Sequence, residues 1–213
     1  GKQEYRSETN SWLAFKKKVT VAEVPEVMTA RIAADSKYWL WINDSLVVFE
    51  GGLKRGPAPG DSYYDEVDIA PFLRKGENCI SVLVWYFGRN GFSHAGSGLA
   101  GLLFEAEAPG LEILSDKTWE ATVFGAYSSA GEPEANYRLP ESNLRYDARK
   151  EIPDWRDPAA KRLGSAMELP VIVGQAPFGK LVKRPIPLWK TSGLLDYPEV
   201  RRSGDTLVCA LPY

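Results

Sequence analysis

Histidine, methionine and cysteine are nearly missing from this 213-residue chain, which holds one His, two Met and two Cys. A single histidine and no CxxC pair leave no ligand set for an ordinary zinc site. Cys79 and Cys209 lie far apart, so no disulfide framework is indicated. Cys79 falls inside the strand-like run from Asn78 to Trp85, where a buried free thiol is expected. No segment approaches the roughly 20 apolar residues of a membrane helix. The first residues, Gly1-Lys2-Gln3-Glu4-Tyr5, are polar and lack a signal-peptide core. Gly1 in place of Met is expected of a processed start, which leaves a removed export signal open. Charge of one sign is missing too, with 26 basic against 28 acidic residues and a net charge of −2. That balance gives no electrostatic footprint for nucleic acid or an anionic membrane. Neither GxxxxGK[ST] nor a strand, GxGxxG and helix in succession is present, which removes the common phosphate cradles.

What the chain does have is aromatic strands. Apolar residues make up 44% of the sequence, ample for a core, and the length suits one large domain with decorated loops. In Tyr38-Trp39-Leu40-Trp41-Ile42, the two-residue period sends Tyr38, Leu40 and Ile42 to one side and Trp39 and Trp41 to the other. Asn43-Asp44 tolerates the left-handed backbone of a tight hairpin, and Ser45 to Phe49 returns as its second strand. Two apolar faces predict a strand covered on both sides, or one whose outer tryptophans meet a ligand or a neighbouring domain.

Further strands are expected over Ser11 to Val21, Val27 to Ala34, Tyr63 to Ile69, Asn78 to Trp85, Leu99 to Ala106, Leu111 to Leu114, Ala121 to Phe124 and Thr206 to Leu211. Asp68 precedes a short helical turn at Ala70-Pro71-Phe72-Leu73 and is placed to cap it. Two glycine-rich loops interrupt the pattern, Gly51 to Gly60 and Gly88 to Gly98. From Gly125 to Arg162 the periodicity fades, which predicts irregular chain draped over the sheets, and Gln175 to Trp189 is rich in breakers. The fold class is therefore all-β, a β-sandwich with long irregular loops.

Several groups invite a chemical reading. His94 beside Ser93 suggests a nucleophile and base, but sequence neighbours point apart, and hydrogen bonding within the loop or to a sugar hydroxyl fits better. The 28 acidic residues offer many candidates for a glycosidase pair, whose separation a sequence does not show. Asp61, Asp65, Glu66 and Asp68 raise calcium, although the spacing is not that of an EF-hand, and strand alternation splits them between faces. Turn caps or a solvated edge are the plainer reading. Sugars present apolar C–H faces rimmed by hydroxyls, so aromatic rings beside Asn or Arg complement them. On that ground Trp85, Tyr86, Arg89, Asn90 and His94, around the second loop, are the predicted carbohydrate-binding residues. Most other rings belong to the core.

The order of motifs resembles the N-terminal non-catalytic region of bacterial α-L-rhamnosidases, glycoside hydrolase family 78. The hairpin Tyr38-Trp39-Leu40-Trp41-Ile42-Asn43-Asp44-Ser45 is similar to the family's Y-x-L-x-I-N-G-K, departing at Asp44 and Ser45. Val67-Asp68-Ile69-Ala70-Pro71-Phe72-Leu73 with Gly76-Glu77-Asn78-Cys79-Ile80, Ser115-Asp116-Lys117-Thr118-Trp119, Tyr146-Asp147-Ala148-Arg149-Lys150-Glu151 with Trp155, and Arg184-Pro185-Ile186-Pro187 follow in family order. The resemblance implies a jelly-roll sandwich of the galactose-binding type over residues 1–190, with 191–213 a linker or the start of a following domain. It implies a carbohydrate-binding or accessory role, a rhamnose-containing glycan and the catalytic domain of the same polypeptide as partners, and a periplasmic or extracellular setting. Some such modules in rhamnosidases bind L-rhamnose with calcium, the one cofactor the resemblance admits. The family's hydrolytic carboxylates belong to an (α/α) barrel, so this segment is expected to have no catalytic residue. A purely structural domain that packs on the barrel is the alternative, and a free-standing hydrolase stands behind both.

Overall fold

The computed structural model describes residues 9–52, 56–91, 94–131, 143–160, 163, 178–190 and 195–211. Ser93, weighed beside His94 as a nucleophile, lies outside the described residues, as do 132–142 and 161–162 of the stretch read as draped and 175–177 of the breaker-rich one. Two five-stranded sheets face each other. The first has the order β4-β3-β6-β1-β9, from Ser45–Gly52 (β4), Lys37–Ile42 (β3), Gly76–Tyr86 (β6), Ser11–Val21 (β1) and Glu120–Val123 (β9). The second has the order β12-β5-β2-β7-β8, from Leu181–Lys183 (β12), Ser62–Asp68 (β5), Thr29–Asp35 (β2), Gly101–Ala108 (β7) and Leu111–Leu114 (β8). The all-β sandwich expected from the sequence is what forms.

The main core lies between the sheets. Tyr38, Leu40 and Ile42 of β3 and Ile80, Val82 and Val84 of β6 meet Ala30 and Ile32 of β2 and Phe104 and Ala106 of β7. Each large side chain so buried contributes about 1.5 to 3 kcal/mol. Trp39 and Trp41 point the other way, into a second cluster on the outer face of the first sheet. There Trp12, Leu83, Trp85 and Phe124 are covered by Ile152, Trp155 and Leu163. Trp155 meets Trp41 edge-on at 5.7 Å. Lys16, almost fully buried on this face, donates Nζ to the carbonyls of Asp157 and Ala160 at 2.9 and 3.3 Å. A buried ammonium requires such acceptors, so Lys16 ties the draped chain down.

The hairpin tip forms with Asn43 at φ 50 and Asp44 at φ 69, the left-handed pair that a two-residue turn needs. Asn43 also accepts the Cys79 N–H at 3.0 Å and donates to Asn78 Oδ1 at 2.7 Å, joining the tip to the start of β6. Asp68 Oδ1 accepts the N–H groups of Met28 and Ala70, holding the short turn at Ala70–Phe72.

The acids that raise calcium in the sequence do not gather. Asp65 turns inward to Tyr38 Oη at 2.9 Å and Arg184 Nε at 2.6 Å, whereas Glu66 faces out to Lys183 and Arg31. Strand alternation divides them, and among the described residues no three His, Cys, Asp or Glu side chains gather as metal ligands. The breaker-rich stretch also contributes a strand. β12 pairs parallel with β5, and the Arg184 that follows it anchors on buried Asp65. The burial of Tyr38 and the nearby Asp65 carboxylate hold its phenol well above the usual tyrosine range. Gly51 is required here, because a Cβ at that position would lie 2.3 Å from the Tyr38 ring.

Small elements complete the fold. Tyr127–Ser129 (β10) pairs with Leu144–Tyr146 (β11), and Val200–Ser203 (β13) with Thr206–Cys209 (β14). Among the described residues β13 and β14 form a sheet with each other alone, and every residue of both is exposed.

Candidate functional site

The second glycine-rich loop leaves the end of β6 beside the junction of β2 and β3. Phe87 ends the apolar run, and Gly88 follows at φ 73, where a Cβ would lie 2.6 Å from Thr9 Cα. Only glycine fits that combination of backbone angle and close approach. Beyond it the loop is fastened by a buried trio from both sides. Ser36 Oγ donates to Asp35 Oδ1 at 2.7 Å and accepts the Phe87 N–H at 3.1 Å. His94 Nε2 lies 3.2 Å from Ser36 Oγ and 3.3 Å from Asp35 Oδ1. Asp35 Oδ2 accepts the Ser97 N–H, so one carboxylate holds two points of the loop. The loop closes on itself as well, with Gly91 N–H bonded to His94 O at 2.8 Å and Gly96 N–H to Asn90 Oδ1 at 2.9 Å.

Burial alone would raise the Asp35 carboxyl, but hydrogen bonds from His94, Ser36 and Ser97 outweigh it and hold the group below the ordinary carboxylate range. Ser, His and Asp are the residue types of a hydrolytic triad, yet the geometry is different. In a triad the imidazole uses one nitrogen for the serine and the other for the carboxylate. Here Nε2 faces both, and the serine hydroxyl is engaged by Asp35 and Phe87. The trio is a clasp for the loop.

The clasp divides the five predicted carbohydrate-binding residues. Trp85, Tyr86 and His94 are 4%, 2% and 4% exposed and have almost no surface to offer a sugar. Arg89 and Asn90 are exposed on the loop. The physical reason is cover from distant chain. Trp85 stacks on Trp12 at 5.1 Å with planes 16° apart, meets Phe87 edge-on at 4.7 Å, and donates Nε1 to Asn10 Oδ1. His94 packs edge-on against Phe87 at 5.2 Å. Burial and the Asp35 carboxylate raise the Tyr86 phenol. Asp35 and Ser36, which sequence reasoning passed over, carry the local chemistry. Their only prior mark was a polar pair between two apolar strands.

The aromatic line that starts at Trp85 reaches the surface elsewhere. Trp12 stacks on Tyr127 at 5.5 Å and 25°, and Tyr127 meets its cross-strand partner Tyr146 at 4.9 Å and 50°. Tyr146 is 47% exposed and donates its hydroxyl to Glu151 Oε2 at 2.7 Å. Partial desolvation, followed by the Glu151 carboxylate, pushes its phenol up to about 12. Next to it Asp147 caps a turn at Ala148–Lys150 and accepts Arg149 Nε and Nη2, each at 2.8 Å.

No family model matches the sequence, and no curated protein sequence does. Solved structures do match. A family 78 rhamnosidase of Bacillus sp. GL1 is 31% identical with a TM-score of 0.67, over 88% of this chain and 19% of that one. An α-L-rhamnosidase of Dictyoglumus thermophilum is 21% identical with a TM-score of 0.62, over 90% of this chain and 21% of its own. An α-L-rhamnosidase of Aspergillus terreus is 22% identical with a TM-score of 0.65, over 95% and 24%. The chain thus spans 19% to 24% of the length of these relatives and is similar to a single domain-sized part of them.

Proposed function

We propose that this chain is a non-catalytic accessory domain of an α-L-rhamnosidase-type glycoside hydrolase and binds a rhamnose-containing glycan. The observation that carries the reading is the match to the Bacillus rhamnosidase, which takes in nearly the whole of this chain and only 19% of the relative. A sandwich with no triad geometry at its Ser, His and Asp trio fits a role without bond cleavage. The sugar site belongs on the surface of the second loop, at Arg89 and Asn90, with the buried clasp holding the loop in shape. Residues 1–190 are then the sandwich, and 191–213 a linker or the start of a following domain, in a protein that works in the periplasm or outside the cell. Isothermal titration of the chain with L-rhamnose and rhamnose-bearing oligosaccharides, with calcium and with chelator, tests this. Heat that saturates is expected, and none under any condition refutes sugar binding.

A second reading has its own support. Exposed large apolar side chains concentrate after residue 180, at Leu181, Ile186, Trp189, Leu195, Tyr197, Val200, Leu207 and Leu211. An isolated two-stranded hairpin such as β13–β14 is marginal in water, so this surface suits packing against further protein. In that reading the domain is structural and binds no sugar. Protection of Trp189 from solvent quenching in a longer polypeptide that includes the catalytic domain, together with silent calorimetry, supports it over the first.

A further inference from the structure

The geometry points to a glycan-contacting platform at Tyr146, built by the turn Asp147 to Glu151 and separate from the second loop. A sugar-stacking ring needs an exposed face, a rigid back and fixed hydrogen-bonding groups at its rim. Tyr146 has each of these. Its ring is half exposed, and behind it Tyr127, Trp12 and Trp85 form a continuous line of contacts that ends deep in the outer cluster. The ring therefore has little freedom to lose on binding, which lowers the entropic cost of contact.

The rim is equally constrained. Asp147 accepts the Arg149 backbone N–H and two of its guanidinium nitrogens, which fixes an exposed side chain that would otherwise be mobile. Its own N–H is bonded to Ala126 O at 2.8 Å, so the turn is locked to the segment before β10. Glu151 Oε2 accepts a hydrogen bond from the phenol. Among the described residues Glu151 Oε1 makes no other hydrogen bond, leaving an acceptor beside the ring, and Arg149 Nη1 makes none, leaving a donor nitrogen on the same turn. A donor and an acceptor flanking an apolar face match neighbouring hydroxyls on a pyranose. Asp147 and Glu151 balance Arg149 and Lys150 along the turn, which leaves it no net positive charge to draw an anionic sugar.

This site does not depend on the loop at Arg89 and Asn90, and the two can fail separately. The probes are L-rhamnose, D-galactose and D-glucuronate, titrated into the isotope-labelled chain with backbone amide shifts as the readout. A neutral sugar is expected to shift Tyr146, Asp147 and Arg149, with D-glucuronate weaker. Tyr146→Ala should weaken binding roughly tenfold, while Tyr146→Phe, which keeps the ring, should retain most of it. Arg149→Ala should weaken it less, and Arg89→Ala should leave it unchanged. Thermal unfolding of each variant separates lost binding from lost folding, and the Phe variant decides the case if Tyr146→Ala unfolds. Shifts confined to residues 88–98 overturn the platform and leave the proposed function standing. Shifts at Tyr146 alone support the platform and move the sugar site away from the loop. Silence with every sugar overturns both.

Discussion

Replacing Asp35 with asparagine tests the clasp that shapes the second loop. The substitution preserves volume but removes the charge and turns one acceptor into a donor. In the native chain the two carboxylate oxygens serve Ser36 Oγ, His94 Nε2 and the Ser97 N–H within a site that is 2% exposed. The asparagine amide can accept through one oxygen only, so one charge-assisted hydrogen bond is lost and a buried donor is left facing another donor. A hydrogen bond to a charged group contributes about 1.5 to 3 kcal/mol, so the loss should be about 2 to 3 kcal/mol at pH 7. That is a large fraction of the roughly 5 to 15 kcal/mol of a typical domain. The pH dependence follows from the direction of the shift. The folded-state pKa of Asp35 is below the ordinary value of 3.8, so its contribution is full above that value and disappears as pH falls through the folded pKa. Urea unfolding followed by tryptophan fluorescence should show a wild-type advantage at pH 7 that narrows below about pH 4. Other lowered carboxyls, such as Asp116, are common to both proteins and cancel in the difference. A variant as stable as the parent at pH 7, or a gap that does not narrow in acid, refutes the reasoning.

Trp155→Ala should be costly, because its indole is buried against Trp41 at 5.7 Å and Phe124 at 5.8 Å and covers the outer face of the first sheet. A loss of about 3 to 5 kcal/mol is expected, read as a fall in Tm of the order of 10 °C, with Trp39 and Trp41 more open to acrylamide quenching. Tyr146 should ionise near its shifted value of about 12 in an ultraviolet pH titration, and Glu151→Gln should bring it down towards the usual tyrosine range. At Asp116 partial desolvation is outweighed by Lys17 Nζ at 2.8 Å and by Thr118, so the carboxyl should titrate at about 2 by NMR, and Thr118→Ala should move it up.

Period and turn chemistry made most strands legible. Tyr38 to Ile42 alternates as a strand must, and Asn43-Asp44 takes the left-handed pair that its composition allows. What stayed hidden was whether an aromatic face is covered. Alternation assigns Trp85 to the outer side of the first sheet, and nothing nearby in sequence reveals that Trp12, Trp155 and Tyr127 close over that side. Trp85 is thus buried by long-range packing and Tyr86 is buried as well, whereas Arg89 and Asn90 reach the surface. β12 escaped for a related reason. Three residues between breakers carry no periodic pattern, and their pairing depends on Arg184 reaching Asp65 across the fold. Two of the motifs that carry the family resemblance are local turn devices. Asp116 accepts Thr118 N–H and Oγ1, as Asp147 accepts Arg149, and such i to i+2 bonds are readable in outline from Asp followed by a polar residue.

The two sheet faces turned away from the core limit where any ligand can be held. The outer face of the first sheet is occupied by Ile152, Trp155 and Leu163, tied down by Lys16, and opening it would expose the tryptophan cluster. The outer face of the second sheet carries a ladder of alternating charge. Lys183 pairs with Glu66, Glu66 faces Arg31 at 3.7 Å, and Arg31 bonds Glu105 at 3.1 Å. The charges of this ladder already have opposite neighbours, so a neutral sugar would gain little by displacing water from them. The rim of the sandwich is built differently. The rim holds a loop braced by Asp35, Ser36 and His94, and a tyrosine backed by a line of three further rings, and in each the rigidity comes from groups behind the proposed contact residues. Substitutions that loosen those supports should therefore weaken binding without altering any contact residue, which distinguishes a pre-shaped rim site from a flat, adaptable surface.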